Sequence, residues 1–238
     1  MQLPDVNTPI ARCDGLSRFT QAALRRYGKV FEATADVTAK LEALATSLGA
    51  ATDALIGAQE TYRQSVLALI GARVELKLVD LKADEIVRSV KRAADDAGAD
   101  VSAAVFPNGV TPIVRPIGPA EADALGALDG RIVAASKWAA KDAQHARVAA
   151  VHAEYKAALD ARKSGMGEAA AKRALRDAAR EDFLDTYAAV AAGVRSTFLR
   201  DRPRNEVFFD TVRARGVVED AVDDPDDPTK PDGPLNPT

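Results

Sequence analysis

Residues 37–97, VTAKLEALATSLGAATDALIGAQETYRQSVLALIGARVELKLVDLKADEIVRSVKRAADDA, contain no proline and hold one hydrophobic register throughout. Alternating steps of four and three from Val37 land on Leu41, Leu44, Leu48, Ala51, Leu55, Ala58, Tyr62, Ser65 and Leu69. They continue through Ala72, Leu76, Val79, Ala83, Ile86, Val90, Ala93 and Ala97, and only Ser65 on this stripe is polar. A period of 3.5 residues keeps one seam facing a partner helix, which is the pattern of a coiled coil. The spacing predicts one helix over about residues 30–97, roughly 100 Å long.

The whole chain of 238 residues agrees with that reading. Alanine alone makes up about a fifth of it, and heavy use of Ala, Leu, Glu, Lys and Arg favours long helices. Aromatic residues are only 5%, too few for a β-sandwich core, which leans on aromatic and β-branched side chains. A single cysteine, Cys13, rules out an internal disulfide, so nothing calls for an oxidising compartment. Residues 1–13 lack the basic start and apolar run of a secretory signal, and no stretch has about 18 apolar residues for a membrane span. The expectation is a soluble, cytoplasmic protein.

Outward from the long helix, three segments are expected. Residues 1–29 form an N-terminal segment whose short helix is capped by Asp14 or Ser17 and stops or kinks at Gly28. Residues 30–218 form the bundle, with helices near 30–97, 119–163 and 168–198. Pro119 suits a helix first turn, Ser164-Gly165-Met166-Gly167 reads as a break, and a third stripe runs Leu175, Ala179, Phe183, Tyr187, Val190, Val194, Phe198. A short extended piece, Asn205 to Asp210, is expected to pack back on the bundle. Residues 219–238 carry Glu219, Asp220, Asp223, Asp224, Asp226, Asp227 and Asp232 against Lys230, with five prolines among them, and read as a disordered acidic tail.

Between the first two long helices, Val105-Phe106, Pro107-Asn108-Gly109 and Val110-Thr111-Pro112-Ile113-Val114 read as a small β-hairpin over about 101–117. Phe106, Asn108, Gly109, Val110 and Thr111 at its tip are the expected partner contacts. Helix lengths predict that the second and third helices flank the first only over about residues 52–83. Apolar residues do spread around the helix there: Val66, Leu67, Ile70, Val74, Leu78 and Leu81 lie outside the seam. Val37, Leu41, Leu44 and Leu48 fall below that range. Either the N-terminal helix folds back at Gly28 to cover them or a second copy does, and the reading favours a homodimer seam.

Catalytic and cofactor motifs are missing. The sequence has no phosphate-binding glycine loop, nucleophile elbow, zincin helix or cysteine metal spacing. His145 and His152 lie two turns apart, too far for one ion on one helix, and read as interface histidines. Trp138 reads as core. Basic clusters are interspersed with acids, which argues against nucleic acid. The chain is therefore expected to need no cofactor or metal and to have no enzymatic activity.

Phe106-Pro107-Asn108-Gly109 with Thr111-Pro112, Arg180-Glu181-Asp182-Phe183-Leu184, and Phe208-Phe209-Asp210 resemble an uncharacterised group of bacterial long-helix, coiled-coil proteins across most of residues 30–210. That resemblance implies a hairpin between two long helices and no activity, ligand or catalytic residue. The expected fold is thus all-α: an elongated antiparallel coiled-coil or three-helix bundle with a β-hairpin. The expected function is a scaffold or assembly protein acting through coiled-coil and hairpin-tip contacts. The alternative is a membrane-active, pore-forming-like bundle with an inserting tip, resting on the uncharged run from Val101 to Val114.

Overall fold

The computed structural model describes residues 3–210. The acidic tail expected at 219–238 lies outside the described residues. Among the described residues the regular structure is entirely helical: α1 (Ile10–Val30), α2 (Ala35–Ala97), α3 (Ala99–Val105), α4 (Thr111–Val114), α5 (Pro119–Ala134), α6 (Lys141–Thr197) and α7 (Arg202–Glu206). They form two compact units, one from residues up to 65 together with those from 169 onward, the other from residues 66–168.

In the first unit α2 and α6 run antiparallel, with Gly193 against Leu44 and the Arg176 guanidinium 4.5 Å from the Tyr62 ring centre. α1 also lies antiparallel to α2. The turn between them is sharp, with Glu32 in the left-handed region at φ 49°, and Gly28 does not stop the helix. It sits where α1 crosses α2 closely, since a Cβ there would lie 2.8 Å from Thr38 Oγ1. α1 begins before the expected caps: Asp14 pairs with Arg18 at 2.8 Å and Ser17 is buried on Thr52. Leu24, Tyr27, Leu41, Leu48, Leu55, Phe183, Tyr187 and Val190 make the core. Thr20 Oγ1 and the Tyr187 hydroxyl meet at 3.0 Å, and Thr52 donates to the Leu48 carbonyl at 2.7 Å. The polar groups in that apolar interior are therefore partnered, as burial requires. After α6 the chain caps α7 with Asp201, which accepts from the Arg204 N–H. The piece expected to be extended over Asn205 to Asp210 instead starts inside α7, whose first turn holds Pro203, and goes on as a turn at 207–208. Phe208 and Phe209 then fold into the core.

In the second unit α2 and α6 are again antiparallel, with Leu69 against Gly165 and Lys82 Nζ 2.6 Å from Glu154 Oε2. α5 is the third helix there: Gly126 lies against the His152 ring, and Asp129 Oδ1 accepts from His145 Nδ1 at 2.6 Å. Val87, Val90, Val101, Val105, Phe106, Leu125, Leu128, Ile132, Trp138, Val148, Val151 and Tyr155 form the core.

Two expectations are corrected here. The β-hairpin at 101–117 is absent: α3 continues almost directly from α2, interrupted at Gly98 with φ 126°, and α4 is a single helical turn. The turn signal was sound, since Gly109 does have φ 74°, but its flanks are helical. Pro112 explains why. It lacks the N–H a strand ladder needs and costs nothing in the first turn of a helix, where it sits. The second correction concerns residues 119–163 and 168–198. The first span breaks at 135–140, and α6 passes unbroken through Ser164-Gly165-Met166-Gly167.

A continuous α6 makes a prediction. A Cβ on Gly167 would meet nothing within 4 Å, and its backbone is helical. Gly167→Ala is expected to stabilise the protein by about 0.5–1 kcal/mol, chiefly by restricting the unfolded chain. Urea denaturation followed by circular dichroism checks it. Destabilisation would show that this site is a turn.

Candidate functional site

The seam residues of α2 point inward: Leu41, Leu48, Leu55, Tyr62, Ser65, Leu69, Val79, Ala83 and Val90 are all buried. Ser65 tolerates this because its hydroxyl donates to the Tyr62 carbonyl at 2.6 Å. The opposite side of the same helix is unusual. Leu67, Ile70, Val74, Leu78 and Leu81 are 49%, 37%, 52%, 58% and 58% exposed. At 100° per residue they fall within about 40° of the Val74 direction and form one straight stripe. Single exposed apolar residues are ordinary, whereas five in register on one helix make a contiguous apolar patch. The cause lies in α6. Because α6 does not turn back at Gly165, no third helix among the described residues covers this face of α2.

The sequence-selected residues are placed differently. Phe106 is 4% exposed and belongs to the core of the second unit, so it is not available as a contact. Asn108 and Thr111 are exposed, while Gly109 and Val110 are half-buried. The turn borders a small groove of about 220 Å³ that also touches Ala127 and Arg131 of α5. Leu41 and Leu48 are fully buried within one chain, with Val37 and Leu44 packed against the same core. The exposed patch on which a homodimer seam at 37–48 depended is therefore filled by α1 and α6. Cys13 is buried as well, and burial pushes its thiol above the ordinary range, away from nucleophile behaviour. Trp138 lies in the core of the second unit, and His145 and His152 line the α5–α6 contact.

One titratable group escaped sequence reading. Glu121, at the start of α5, is 2% exposed. The Tyr155 hydroxyl donates to its Oε2 at 2.8 Å and accepts from the Gly118 N–H at 3.1 Å. Burial, and then a hydrogen bond to the Asp80 carboxylate, push Glu121 up to about 8, against the opposing effect of Tyr155. Burial, and then Glu121, raise Tyr155 in turn. Spacing held the clue, since Glu121 precedes Leu125, Leu128 and Ile132 by steps of four and three and so shares their apolar face. A neutral carboxyl closed off from solvent can hold α5 against α2 and α6, but it has no route to a substrate.

An open groove of about 490 Å³ runs along α5 and α6 in the second unit. Asp123 and Asp160 line it together with Lys156, Arg162 and Lys163, so both signs of charge are mixed along it. Among the described residues no three His, Cys, Asp or Glu are placed to hold a metal ion. No helix there is long and apolar enough to cross a membrane. No protein-family model, curated protein or solved structure matches this chain, so the reading of its function rests on its own surface.

Proposed function

We propose that this chain is a non-enzymatic scaffold or assembly subunit of the cytoplasm that works by presenting a helix face to other protein chains. The exposed stripe Leu67, Ile70, Val74, Leu78 and Leu81 carries this reading. Fully burying an apolar side chain of this size is worth about 1.5–3 kcal/mol, and these half-exposed ones have about half of that left to gain against a partner helix with matching spacing. The membrane-active alternative is the weaker reading, because Val101, Val105, Phe106 and Ile113 of its uncharged segment are packed in the chain's own core.

Site-specific photo-crosslinking in cells tests the proposal. A benzophenone side chain at Val74 is expected to give discrete protein adducts, and one at exposed Lys163 of α6 is expected to give none. Equal labelling at both positions, or no adduct at Val74, would overturn it.

A further inference from the structure

The stripe is palindromic. Around Val74, Ile70 and Leu78 sit one turn away on either side, and Leu67 and Leu81 two turns away. The same face of α2 continues into exposed Glu60 and Arg63 before the stripe and exposed Glu85 and Arg88 after it. Rotating a second α2 by a two-fold axis through Val74 lays Val74 on Val74, Ile70 on Leu78 and Leu67 on Leu81. It also lays Arg63 on Glu85 and Glu60 on Arg88, opposite charges at both ends. A two-fold interface must be self-complementary in this way, every contact occurring twice. A parallel pairing would instead set Glu60, Arg63, Glu85 and Arg88 each against its own copy, which is repulsive.

From these observations we infer that the partner of this face is a second copy of the chain, docked antiparallel through α2 about a two-fold axis at Val74. The inference rests on the scaffold reading and names its partner. The contact spans 29 residues of helix from Glu60 to Arg88. At 1.5 Å per residue and one helix width this buries on the order of 400–500 Å² per chain, below the size of stable interfaces and in the range of weak, transient ones. The dimer is therefore reversible, and its population depends on concentration.

Sedimentation equilibrium of the full chain tests this inference. Mass is expected to rise from the monomer value of 25.1 kDa towards twice that value across the micromolar to high-micromolar range. Val74→Glu should abolish the rise at unchanged helicity. Cysteine pairing reads the geometry. Val74→Cys is expected to form a symmetric disulfide dimer. Leu67→Cys alone should not, because its copies lie roughly 21 Å apart in this arrangement. Mixing Leu67→Cys with Leu81→Cys should restore the cross-link. Arg63→Glu is expected to weaken association about three- to tenfold, and adding Glu85→Arg should recover it. A monomeric mass throughout, or Leu67→Cys cross-linking to itself, would overturn the inference. If the chain stays monomeric while Val74 still cross-links to other proteins in cells, the scaffold reading survives without the homodimer. If both fail, both readings fall.

Discussion

Glu121→Gln is expected to flatten the pH dependence of stability in the alkaline direction. In the folded protein Glu121 holds its proton up to about 8, whereas an unfolded glutamate loses it near 4.5. Between those values the native state binds the extra proton, so stability is fully present below about 4.5 and falls as pH rises through about 8. The charged groups facing Glu121 are Asp80 and Asp84 on α2, and Tyr155 on α6 faces it with its hydroxyl. Glutamine keeps the geometry, since its carbonyl can accept from Tyr155 and its amide can donate to Asp80. With about 1.36 kcal/mol per pH unit as the ceiling, the wild type should lose on the order of 2–4 kcal/mol by pH 9 that the variant retains. Urea denaturation at pH 5 and pH 9 measures the difference. Parallel losses in both proteins would show that Glu121 is ionised in the fold.

Phe208→Ala is expected to destabilise the first unit by about 3–5 kcal/mol, the cost of removing a fully buried aromatic ring. Phe208 has no exposed surface, stacks on Phe198 at 5.6 Å between ring centres and meets Tyr27 at 5.1 Å. One contact is with the residue that directly follows α6 and the other is with α1. Neighbouring Val207 is 55% exposed, and Val207→Ala should change stability by no more than about 0.5 kcal/mol. Guanidinium denaturation of the two variants side by side checks both values. Similar effects would mean that the chain after α6 does not dock through Phe208.

The α2 seam was legible because apolar residues recur on it every seven residues, Leu41, Leu48, Leu55, Tyr62, Leu69 and Leu76 among them. α6 was not legible as one helix for a physical reason. Its seam continues through Arg162, Gly165, Ala169, Lys172 and Arg176, where apolar periodicity disappears although the helix does not. Arg176 covers Tyr62 with its guanidinium face, a contact of about 0.5–1 kcal/mol at exposed sites that no hydropathy pattern records. Breaking α6 at Gly165 made the extra apolar residues of 66–81 read as evidence of a third neighbour. The unbroken helix leaves them outside instead, and a misplaced core became the candidate surface. The hairpin failed in a similar way, since its turn residues were real, but the first flank, ADVSAAV, is rich in alanine and the second, TPIV, places Pro112 in a helix first turn.

The division of the chain also sets an order of events during synthesis. The second unit is a single uninterrupted stretch, residues 66–168, whereas the first joins the two ends of the chain, as when Thr20 meets Tyr187. A nascent chain released only to residue 168 holds every segment the second unit needs, but it still lacks Phe183, Tyr187 and Phe198. α1 can pair with α2 as soon as both are made, but its contacts with Tyr187 and Phe198 must wait, and distant contacts of this kind form slowly. Pulsed proteolysis of stalled ribosome complexes should find residues 66–168 protected while residues 10–30 are still cleaved. That interval is when this protein is most exposed to mispairing, and when a chaperone would find it.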